Sequence, residues 1–579
     1  MAGLVVMLSA LGLFGEWFGS GPRAIPAPAR PPARRAVSSY DAVVVGAGPT
    51  GLAAALLLRE RGARVAVVER EADPARFDPE RAEVCLVDGR GGVVFEQLGL
   101  CSQLAAVGVA QRDLRTASVT AQEGVSAPSR LPTVRLEPTQ PADARAGAYW
   151  IPREALVGIF DQAVAATAPA ADDPRRPPIV RLYGRELGAL ALASAETGWA
   201  LNLTAAAGAR GADGGGDADD GGDSQTEQVI AKLVIGTDGM RSAVRETLRA
   251  VARAGGLGDS FSVVSRRAAS AGLRQKLLKL PPSFALSPDG ATMPERDVSY
   301  AIVSATGVAP ELRLWMLPQA RGERGRTAQL ITGADHLIWA RRTADDAARF
   351  LADAFPHVPI GPAQVGEDEM RRFAESAGTL LPNPQHCTHA ALTCGALVGA
   401  ALAGDALHAF PPDLGQGVNA GLQDVAALAS CLDDHGVTFR AQPPAAPSDV
   451  GAQAARRPDA LACALARYGI SRAKEAAALT KLVQLGHPLQ YSQAVPFGAI
   501  RRAAWRANFG ARLALARTLG PRLNFFPSVF ALVQNPRLSY SEVLRLAHAT
   551  TRSMLVLAAL SALVLAGAHR LALAAVAGM

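Results

Sequence analysis

A glycine-rich turn between a short apolar strand and a helix constrains the fold of this chain more than any other feature. Residues 41–45 read Asp-Ala-Val-Val-Val, which favours a buried strand, and residues 46–51 follow the pattern Gly-x-Gly-x-x-Gly. Residues 52–61 then have the composition of a helix, and residues 64–68 that of a second strand. This order predicts the strand–turn–helix–strand unit that binds dinucleotides, within a parallel α/β sheet.

Each glycine of this turn has a mechanical role, and an acid follows the second strand. Gly46 permits the tight turn, Gly48 lets the backbone approach a pyrophosphate, and Gly51 lets the helix pack against the strand. Glu69 is placed to accept a hydrogen bond from a ribose hydroxyl, and Arg70 beside it joins the cofactor-binding candidates. An acid at position 69 favours an unphosphorylated ribose, which means FAD or NAD.

Two further glycine motifs occur later in the chain. One is a strand-to-helix turn at Asp238-Gly239, and the other is Gly404-Asp405 after a short apolar strand. The second motif continues through a Gly-Gln-Gly run at 415–417 into another predicted helix.

The three motifs, each occurring once and in this order, resemble the class A flavoprotein monooxygenases, the family of p-hydroxybenzoate hydroxylase. The resemblance spans about residues 40–480. It implies an α/β fold in which a Rossmann-like FAD-binding domain is interleaved with a mixed β-sheet substrate domain, followed by a C-terminal helical region. It also implies FAD as cofactor, NADPH or NADH as electron donor, and O2 and a small aromatic compound as substrates.

The resemblance assigns roles to individual positions. Asp405 would hold the ribityl chain of FAD, whereas Asp238 and Gly239 would serve the pyrophosphate region and nicotinamide access. Main-chain N–H groups of the Gly-Gln-Gly loop would lie near the flavin pyrimidine, where negative charge gathers on reduction. The other cofactor-binding candidates are Gly415, Gly417, Val418 and Asn419 in and after that loop, and Arg153 at a strand-to-helix junction.

No catalytic acid or base is nominated, because in this family the cofactor carries the chemistry and the protein supplies position and a dry site. His408 lies inside the Gly-Asp motif, and we expect it to pack or hydrogen-bond locally.

Several functional classes are excluded. The sequence has no second strand–Gly-x-Gly-x-x-Gly–helix unit and no Cys-x-x-x-x-Cys pair, which argues against Baeyer–Villiger enzymes and disulfide reductases. Its six cysteines include no Cys-x-x-Cys pair, so neither a disulfide framework nor a zinc ribbon is predicted. The net charge of +7 comes without a stripe of interleaved basic and aromatic residues, so no nucleic-acid partner is expected.

Within the family, the chain resembles the kynurenine 3-monooxygenases, most clearly in the C-terminal region 526–545. The departures fall at positions where that group binds its substrate. Arg467 replaces an expected asparagine and Phe530 an expected tyrosine, while Asp413 and Leu414 replace two phenylalanines before the Gly-Gln-Gly loop.

A carboxylate-binding arginine is also out of register. Leu114 occupies its expected position, with Arg112 and Arg115 beside it. Arg115 and Arg467 could form a carboxylate clamp, and the alternative is that both are surface cations. The substrate-binding candidates are therefore Arg112, Arg115, Arg467 and Phe530.

The predicted organisation is a targeting or anchor segment 1–38, FAD-binding and substrate domains in 39–435 with a disordered insertion at 204–226, a linker 436–458, a helical region 459–550 and a membrane anchor 553–579. At the N-terminus, basic residues follow the apolar run, which favours an organellar targeting sequence, with a membrane anchor as the alternative. The apolar tail from 554 to 568 is shorter than the ~20 residues that span a bilayer, so a buried C-terminal helix is the alternative there. An organelle membrane is expected, with the mitochondrial outer membrane favoured over a plastid.

The expected function is hydroxylation of an aromatic substrate of the kynurenine type. Two alternatives stay open. One is an organellar hydroxylase or epoxidase of a lipophilic ring compound, and the other is a flavin-binding paralogue without hydroxylase activity. Asp413 near the flavin would disfavour a reduced, anionic cofactor in the latter case.

Overall fold

The computed structural model describes residues 37–577, with gaps at 77, 79–83, 112–113, 132–147, 168–175, 207–225, 306–310, 320–324, 440–458, 487–488 and 492–494. Four sequence-based predictions concern residues that lie wholly or mostly outside these described ranges. They are the N-terminal segment 1–38 except its last two residues, most of the insertion 204–226, most of the linker 436–458, and Arg112.

A mainly parallel sheet forms the centre of the chain. Its middle strand, Ser38–Val45, pairs in parallel with Val65–Glu69 on one side and with Glu227–Gly236 on the other. The valines and alanines of these strands are almost completely buried, because helices cover both faces of the sheet. This double burial is the physical reason for the unbroken apolar runs in the sequence.

The strands, in chain order, are β1 Ser38–Val45, β2 Val65–Glu69, β3 Val84–Val87, β4 Val109–Gln111, β5 Leu114–Thr120, β6 Gly124–Val125, β7 Ser129–Leu131, β8 Ala148–Pro152, β9 Val180–Tyr183, β10 Arg185–Ser194, β11 Gly198–Ala205, β12 Glu227–Gly236, β13 Val263–Ser265, β14 Leu273–Leu280, β15 Val298–Val303, β16 Arg313–Met316, β17 Arg326–Gly333, β18 Thr379–Leu380, β19 Gln385–Cys387, β20 Ala391–Thr393, β21 Gly399–Leu402 and β22 His408–Ala409.

The α-helices are α1 Pro49–Glu60, α2 Gly89–Leu98, α3 Cys101–Val107, α4 Arg153–Ala165, α5 Ala243–Ala254, α6 Ala344–Ala354, α7 Pro362–Val365, α8 Glu367–Glu375, α9 Gly417–Asp434, α10 Ala460–Gly486, α11 Gly498–Thr518, α12 Val529–Leu532 and α13 Tyr540–Ala577.

The register of the central sheet brings the three glycine motifs together. Val45 at the end of β1 lies opposite Val68 of β2 and Gly236 of β12, and Gly236 in turn lies opposite Leu402 of β21. All these pairings are parallel, so the turns that follow the strands emerge at one edge of the sheet. In open α/β sheets this carboxyl edge is where ligands bind.

A second sheet is inserted between the parts of the first. Its strand order is β18-β14-β17-β16-β15-β5-β6, with β7 paired to β5, and its pairs are antiparallel except β15 with β5. Helices α6 to α8 cover one face and share a separate core with it. A Rossmann-like sheet interleaved with a mixed sheet and followed by helices is the predicted fold class, which is confirmed.

The C-terminal half of the last helix, α13, extends away from the rest of the protein. From about residue 555 onward its leucines and valines are exposed, with Leu563 70 % accessible. In the described part of the chain this is the one helix that could cross a membrane, judged by length and composition. The helix continues through His569 and Arg570 without a break. The alternative of a helix buried against the protein is therefore not what the structure shows.

Helices α9 and α10 are joined through a buried carboxylate. Asp424 on α9 accepts a hydrogen bond from Arg472 Nε of α10 at 2.7 Å, and its other oxygen lies 2.8 Å from His408 Nε2. The backbone N–H of Gly404 donates to that second oxygen at 2.9 Å. Burial acts to raise the pKa of Asp424, but the adjacent His408 and Arg472 outweigh it, so the pKa lies below its ordinary value. His408 is thus engaged locally, as expected.

Removing Arg472 should therefore destabilise the protein strongly. Arg472→Met leaves the carboxylate of Asp424 buried without its ion pair, and we expect a loss of about 3–5 kcal/mol in the free energy of unfolding. Arg467→Met is the matched control on the same helix, because Arg467 lies 3.6 Å from Asp434 in an exposed pair worth about 1 kcal/mol or less. Denaturant titration of both variants measures the difference. Equal losses would contradict this account of the pair.

Candidate active site

The Gly46–Gly51 turn is tight at two of its glycines and open at the third. A Cβ on Gly51 would lie 1.9 Å from the carbonyl oxygen of Gly46, and one on Gly46 would lie 2.5 Å from that of Thr237. Gly48 has no atom within 4 Å of the position that a Cβ would take. It is the N-cap of α1, so the free N–H groups of this helix start face open space that could hold a phosphate.

Glu69 lies at the end of β2, beside this turn. One of its carboxylate oxygens accepts a hydrogen bond from the N–H of Ala47 at 2.7 Å, and the other accepts one from the N–H of Glu71 at 3.0 Å. These bonds fix the carboxylate next to the helix start, where a ribose attached to the bound phosphate would lie. Arg70 next to it is half exposed and lies 3.4 Å from Glu71.

The Asp-Gly turn contacts the first motif directly. The hydroxyl of Thr237 donates to the carbonyl oxygens of Val45 and Gly46 at 2.8 and 3.0 Å. Asp238 accepts from the N–H of Val244 through one carboxylate oxygen, while the other is buried and has no hydrogen-bond partner. Burial raises the pKa of Asp238. Gly239, with φ +81, has open space where a Cβ would lie.

The Gly-Asp motif packs against the start of α1. Gly404 has φ +61, and a Cβ there would lie 3.1 Å from the hydroxyl of Thr50. A Cβ on Gly421 of α9 would lie 2.4 Å from the same hydroxyl. Asp405 is exposed between the buried residues Gly404 and Ala406. The motif therefore presents one carboxylate at the edge where the first turn also opens.

The Gly-Gln-Gly loop combines open backbone with anchored side chains. Gly415, with φ +63, and Gly417 each have open space where a Cβ would lie. The Asn419 amide donates to the carbonyl oxygen of Leu86 at 2.8 Å and accepts from the N–H of Asp88 at 2.9 Å. Because this side chain is engaged within the protein, Asn419 and its neighbour Val418 can offer a cofactor chiefly their backbone N–H groups at the start of α9.

The C-terminal region braces this loop. Gln416 donates to the buried carboxylate of Asp88 at 2.8 Å and accepts from the hydroxyl of Tyr540 at 3.0 Å. The guanidinium of Arg90 lies 4.4 Å from the centre of the Tyr540 ring and donates to the carbonyl oxygens of Val533 and Asn535, both at 2.8 Å. The loop position therefore depends on residues more than 100 positions away in sequence.

A buried acid precedes the loop. Asp413 is 3 % exposed, and its carboxylate accepts from the hydroxyl of Ser270 at 2.5 Å and from the amide of Gln490 at 3.3 Å. Burial raises its pKa from the ordinary value of 3.8 to about 6, although Ser270, Gln490 and Tyr491 oppose that change. Asp413 thus lies where the FAD-binding part, the inserted sheet and the C-terminal region meet.

Three of the predicted substrate-binding residues, Arg115, Arg467 and Phe530, lie in the described part of the chain, and the two arginines are each paired with other residues. Arg115 on β5 lies 3.0 Å from Asp297 and 2.9 Å from Glu295. Arg467 pairs with Asp434, the last residue of α9, and is therefore 17 helical residues or about 25 Å from Gly417. The structure thus does not support a carboxylate clamp formed by Arg115 and Arg467. Phe530 is half buried and packs against the core of the C-terminal helical region.

Arg153 begins α4, directly after β8. It is half buried, and β8 pairs with β3, whose last residue precedes Asp88.

Several residues of the site were not predicted from the sequence. They are Asp88, Arg90, Ser270, Gln416, Gln490 and Tyr540. Each is an ordinary polar residue in the sequence, and only its distant partner makes it part of the site.

The described geometry agrees with the comparisons to known proteins. The family model described as an FAD binding domain matches residues 39–275 and 399–435, which contain all three motifs. The chain therefore carries an FAD-binding domain, and the predicted resemblance to FAD-dependent monooxygenases is confirmed.

The similar proteins include two kynurenine 3-monooxygenases and one solved structure. The chain is 26 % identical to the kynurenine 3-monooxygenase of Xanthomonas euvesicatoria over 411 residues, which are 69 % of this chain and 73 % of that enzyme. It is 31 % identical to that of Emericella nidulans over 163 residues, only 28 % of either chain. A solved structure of a probable FAD-dependent monooxygenase from Pseudomonas aeruginosa matches with a TM-score of 0.44 and 18 % identity, covering 77 % of this chain and 97 % of the other.

Two glycines of the first turn should respond differently to the same substitution. Gly51→Ala forces a methyl group against the Gly46 carbonyl, and we expect it to destabilise the protein by about 3 kcal/mol or more. Gly48→Ala should leave the stability of the apoprotein unchanged, because its φ is −69° and the space is open. Its dissociation constant for FAD should rise about tenfold, or ~1.4 kcal/mol, because the methyl group would occupy the open space in which we expect the pyrophosphate to bind. Thermal melts and FAD fluorescence titrations separate the two effects, and undiminished FAD affinity in Gly48→Ala would contradict this placement.

The buried acid should make stability depend on pH. The pKa of Asp413 is raised on folding, so its contribution favours the folded state below pH 4 and is lost as pH rises through about 6. Relative to the wild type, Asp413→Asn should therefore gain about 3 kcal/mol in the free energy of unfolding between pH 4 and pH 8. Denaturant titrations across that range measure the gain, with the exposed Asp434→Asn as control. A wild-type-minus-variant difference that stays constant with pH would rule out the raised pKa.

Proposed function

We propose that this chain is an FAD-dependent monooxygenase that consumes NADPH or NADH and O2 to hydroxylate an aromatic ring, with kynurenine as the favoured substrate. One observation carries the proposal: three glycine motifs leave adjacent strands at one sheet edge, where Gly48 and Gly239 have open backbone and the carboxylate of Asp405 is exposed. A dinucleotide with a flavin at one end is the kind of ligand that such an extended backbone surface fits.

The residues present fit FAD along its length. The turn from Gly46 to Gly51 would bind the pyrophosphate, and Glu69 a ribose hydroxyl. The exposed carboxylate of Asp405 would bind the ribityl chain, and the N–H groups at the start of α9 would face the pyrimidine end of the flavin. Asp238, Arg70 and Arg153 complete the proposed set, with Gly415, Gly417, Val418 and Asn419 contributing through the backbone. The buried Asp238 oxygen without a hydrogen-bond partner is the kind of acceptor that a ligand hydroxyl would satisfy.

When bound, FAD would take two electrons from the nicotinamide and use O2 to place one oxygen atom on the ring while the other leaves as water. The chain's own contribution is positional and electrostatic. The helix dipole of α9 and the N–H groups of the loop would stabilise negative charge at the flavin end. The brace from Asp88 and Tyr540 through Gln416 holds these N–H groups in place.

A lipophilic ring compound is the second candidate substrate. It is favoured by the exposed apolar helix α13 and by Arg467, which lies too far from the loop to bind the carboxylate of an amino acid. The proposal includes attachment to an organelle membrane through α13, with the mitochondrial outer membrane favoured, in line with the apolar helix.

The test uses the full chain in detergent, reconstituted with FAD. NADPH and NADH consumption is measured with and without L-kynurenine, and 3-hydroxykynurenine is followed by chromatography. We expect substrate to stimulate consumption at least tenfold, with product formed in proportion; Asp405→Ala tests the dependence on FAD binding. If the FAD-loaded, yellow protein does not respond to kynurenine but does respond to a lipophilic phenol, the lipophilic ring compound replaces kynurenine as the proposed substrate. A yellow protein that responds to neither would favour the paralogue without hydroxylase activity.

A further inference from the structure

The positive charge of this chain is concentrated near its C-terminus. Residues 476–579 contain 11 of the 59 lysines and arginines but only one of the 52 acids, Glu542. The remaining 475 residues hold 48 basic and 51 acidic residues and are therefore slightly acidic. The net charge of +7 is thus a property of the C-terminal region and not of the domain that binds FAD.

Helix α11 carries the densest part of this charge on the surface. It has five arginines, at 501, 502, 506, 512 and 517, and no acid, and none of its residues is buried. None of the five forms an ion pair with a described residue. Ion pairs of this kind are found for surface arginines elsewhere, such as Arg349 with Asp346 and Arg371 with Asp368.

The position of α11 relative to α13 is fixed by one of these arginines. Arg512 donates to the hydroxyl of Thr551 at 2.7 Å and to the carbonyl oxygen of Ala547 at 3.4 Å. A few residues beyond Thr551, the apolar side chains of α13 are exposed. Arg512 therefore holds its part of the basic helix close to the point where the side chains of α13 become exposed, which is the level of lipid headgroups if α13 is inserted.

Exposed apolar side chains lie at the start of the same helix. Phe497 is 78 % exposed and Ile500 is 68 % exposed. Arginines beside exposed apolar side chains are typical of helices that lie in the interface of an anionic bilayer. Arginine also binds phosphate through two parallel hydrogen bonds, and each basic residue near an anionic leaflet adds to membrane attraction.

We propose that α11 is a docking surface for the headgroups of an anionic phospholipid bilayer, which makes membrane attachment selective for anionic lipid. This inference rests on the membrane attachment through α13 included in the proposed function. Two contributions are thereby separated. Insertion of α13 is driven by its apolar side chains and occurs in neutral lipid as well, whereas the attraction of α11 requires anionic lipid and weakens as salt screens it.

The test measures co-flotation of the full, FAD-loaded chain with vesicles. One set is phosphatidylcholine alone and the other contains about one third phosphatidylserine, each at low and at high salt. The wild type should bind both sets and prefer the anionic one by at least tenfold at low salt, an advantage that high salt removes. Arg501→Gln/Arg502→Gln/Arg506→Gln should bind neutral vesicles as before and lose most of the anionic preference.

Matched controls separate this proposal from the others. Arg253→Gln/Arg349→Gln/Arg371→Gln removes the same charge from other surface helices and should keep the anionic preference. The flavin absorbance and thermal melt of each variant report folding, and NADPH oxidation in detergent should be unchanged in both. A wild type without anionic preference, or an α11 variant that retains it, overturns the proposal while neutral binding still supports α13. Failure to bind any vesicle overturns both membrane claims and leaves the proposed chemistry standing.

Discussion

The buried carboxylate of Asp424 is the interaction on which the site depends most. It accepts hydrogen bonds from Gly404 and Arg472 and contacts His408, so one side chain joins the Gly-Asp turn, the β22 strand and helices α9 and α10. A charge with no accessible surface is tolerated only when its partners satisfy it. The direction in which Asp405 leaves the sheet edge, and the position of α9 with its loop, both follow from this carboxylate being paired.

A second buried network of hydrogen bonds joins the Gly-Gln-Gly loop to the C-terminal region. Asp88 and Tyr540 both hydrogen-bond to the side chain of Gln416, and Arg90 at the start of α2 hydrogen-bonds to the segment that precedes Tyr540. The helical region is therefore part of the site although it supplies no residue of the three motifs. The same region ends in the exposed helix α13. The exposed helix α13 and the Gly-Gln-Gly loop are thus connected through the core that α10, α12 and α13 share.

The sequence predicted those parts of the site that are local in the chain. The glycine turns, the acid after β2 and the Gly-Asp pair each combine a conformational need with a chemical one within a few residues, so their pattern is readable. The hydrogen bonds that hold the loop could not be predicted in this way, because their partners are far apart in sequence. Asp88 and Gln416 are 328 positions apart, and Arg90 and Val533 are 443 apart. For Arg467, the local sequence suggested a role that the fold does not support. Its alignment to a substrate-binding position was visible, but the length and direction of α9 and α10 place it about 25 Å from the loop.

The fate of the oxygen atoms distinguishes a monooxygenase from a protein that only binds flavin. The FAD-loaded protein is given NADPH and each of a set of ring substrates under ¹⁸O₂, and the product is analysed by mass spectrometry. A monooxygenase should place one ¹⁸O atom in each hydroxylated product and form about one product for each NADPH consumed. NADPH consumption that yields only labelled hydrogen peroxide, or a product whose oxygen comes from water, would contradict the proposed function.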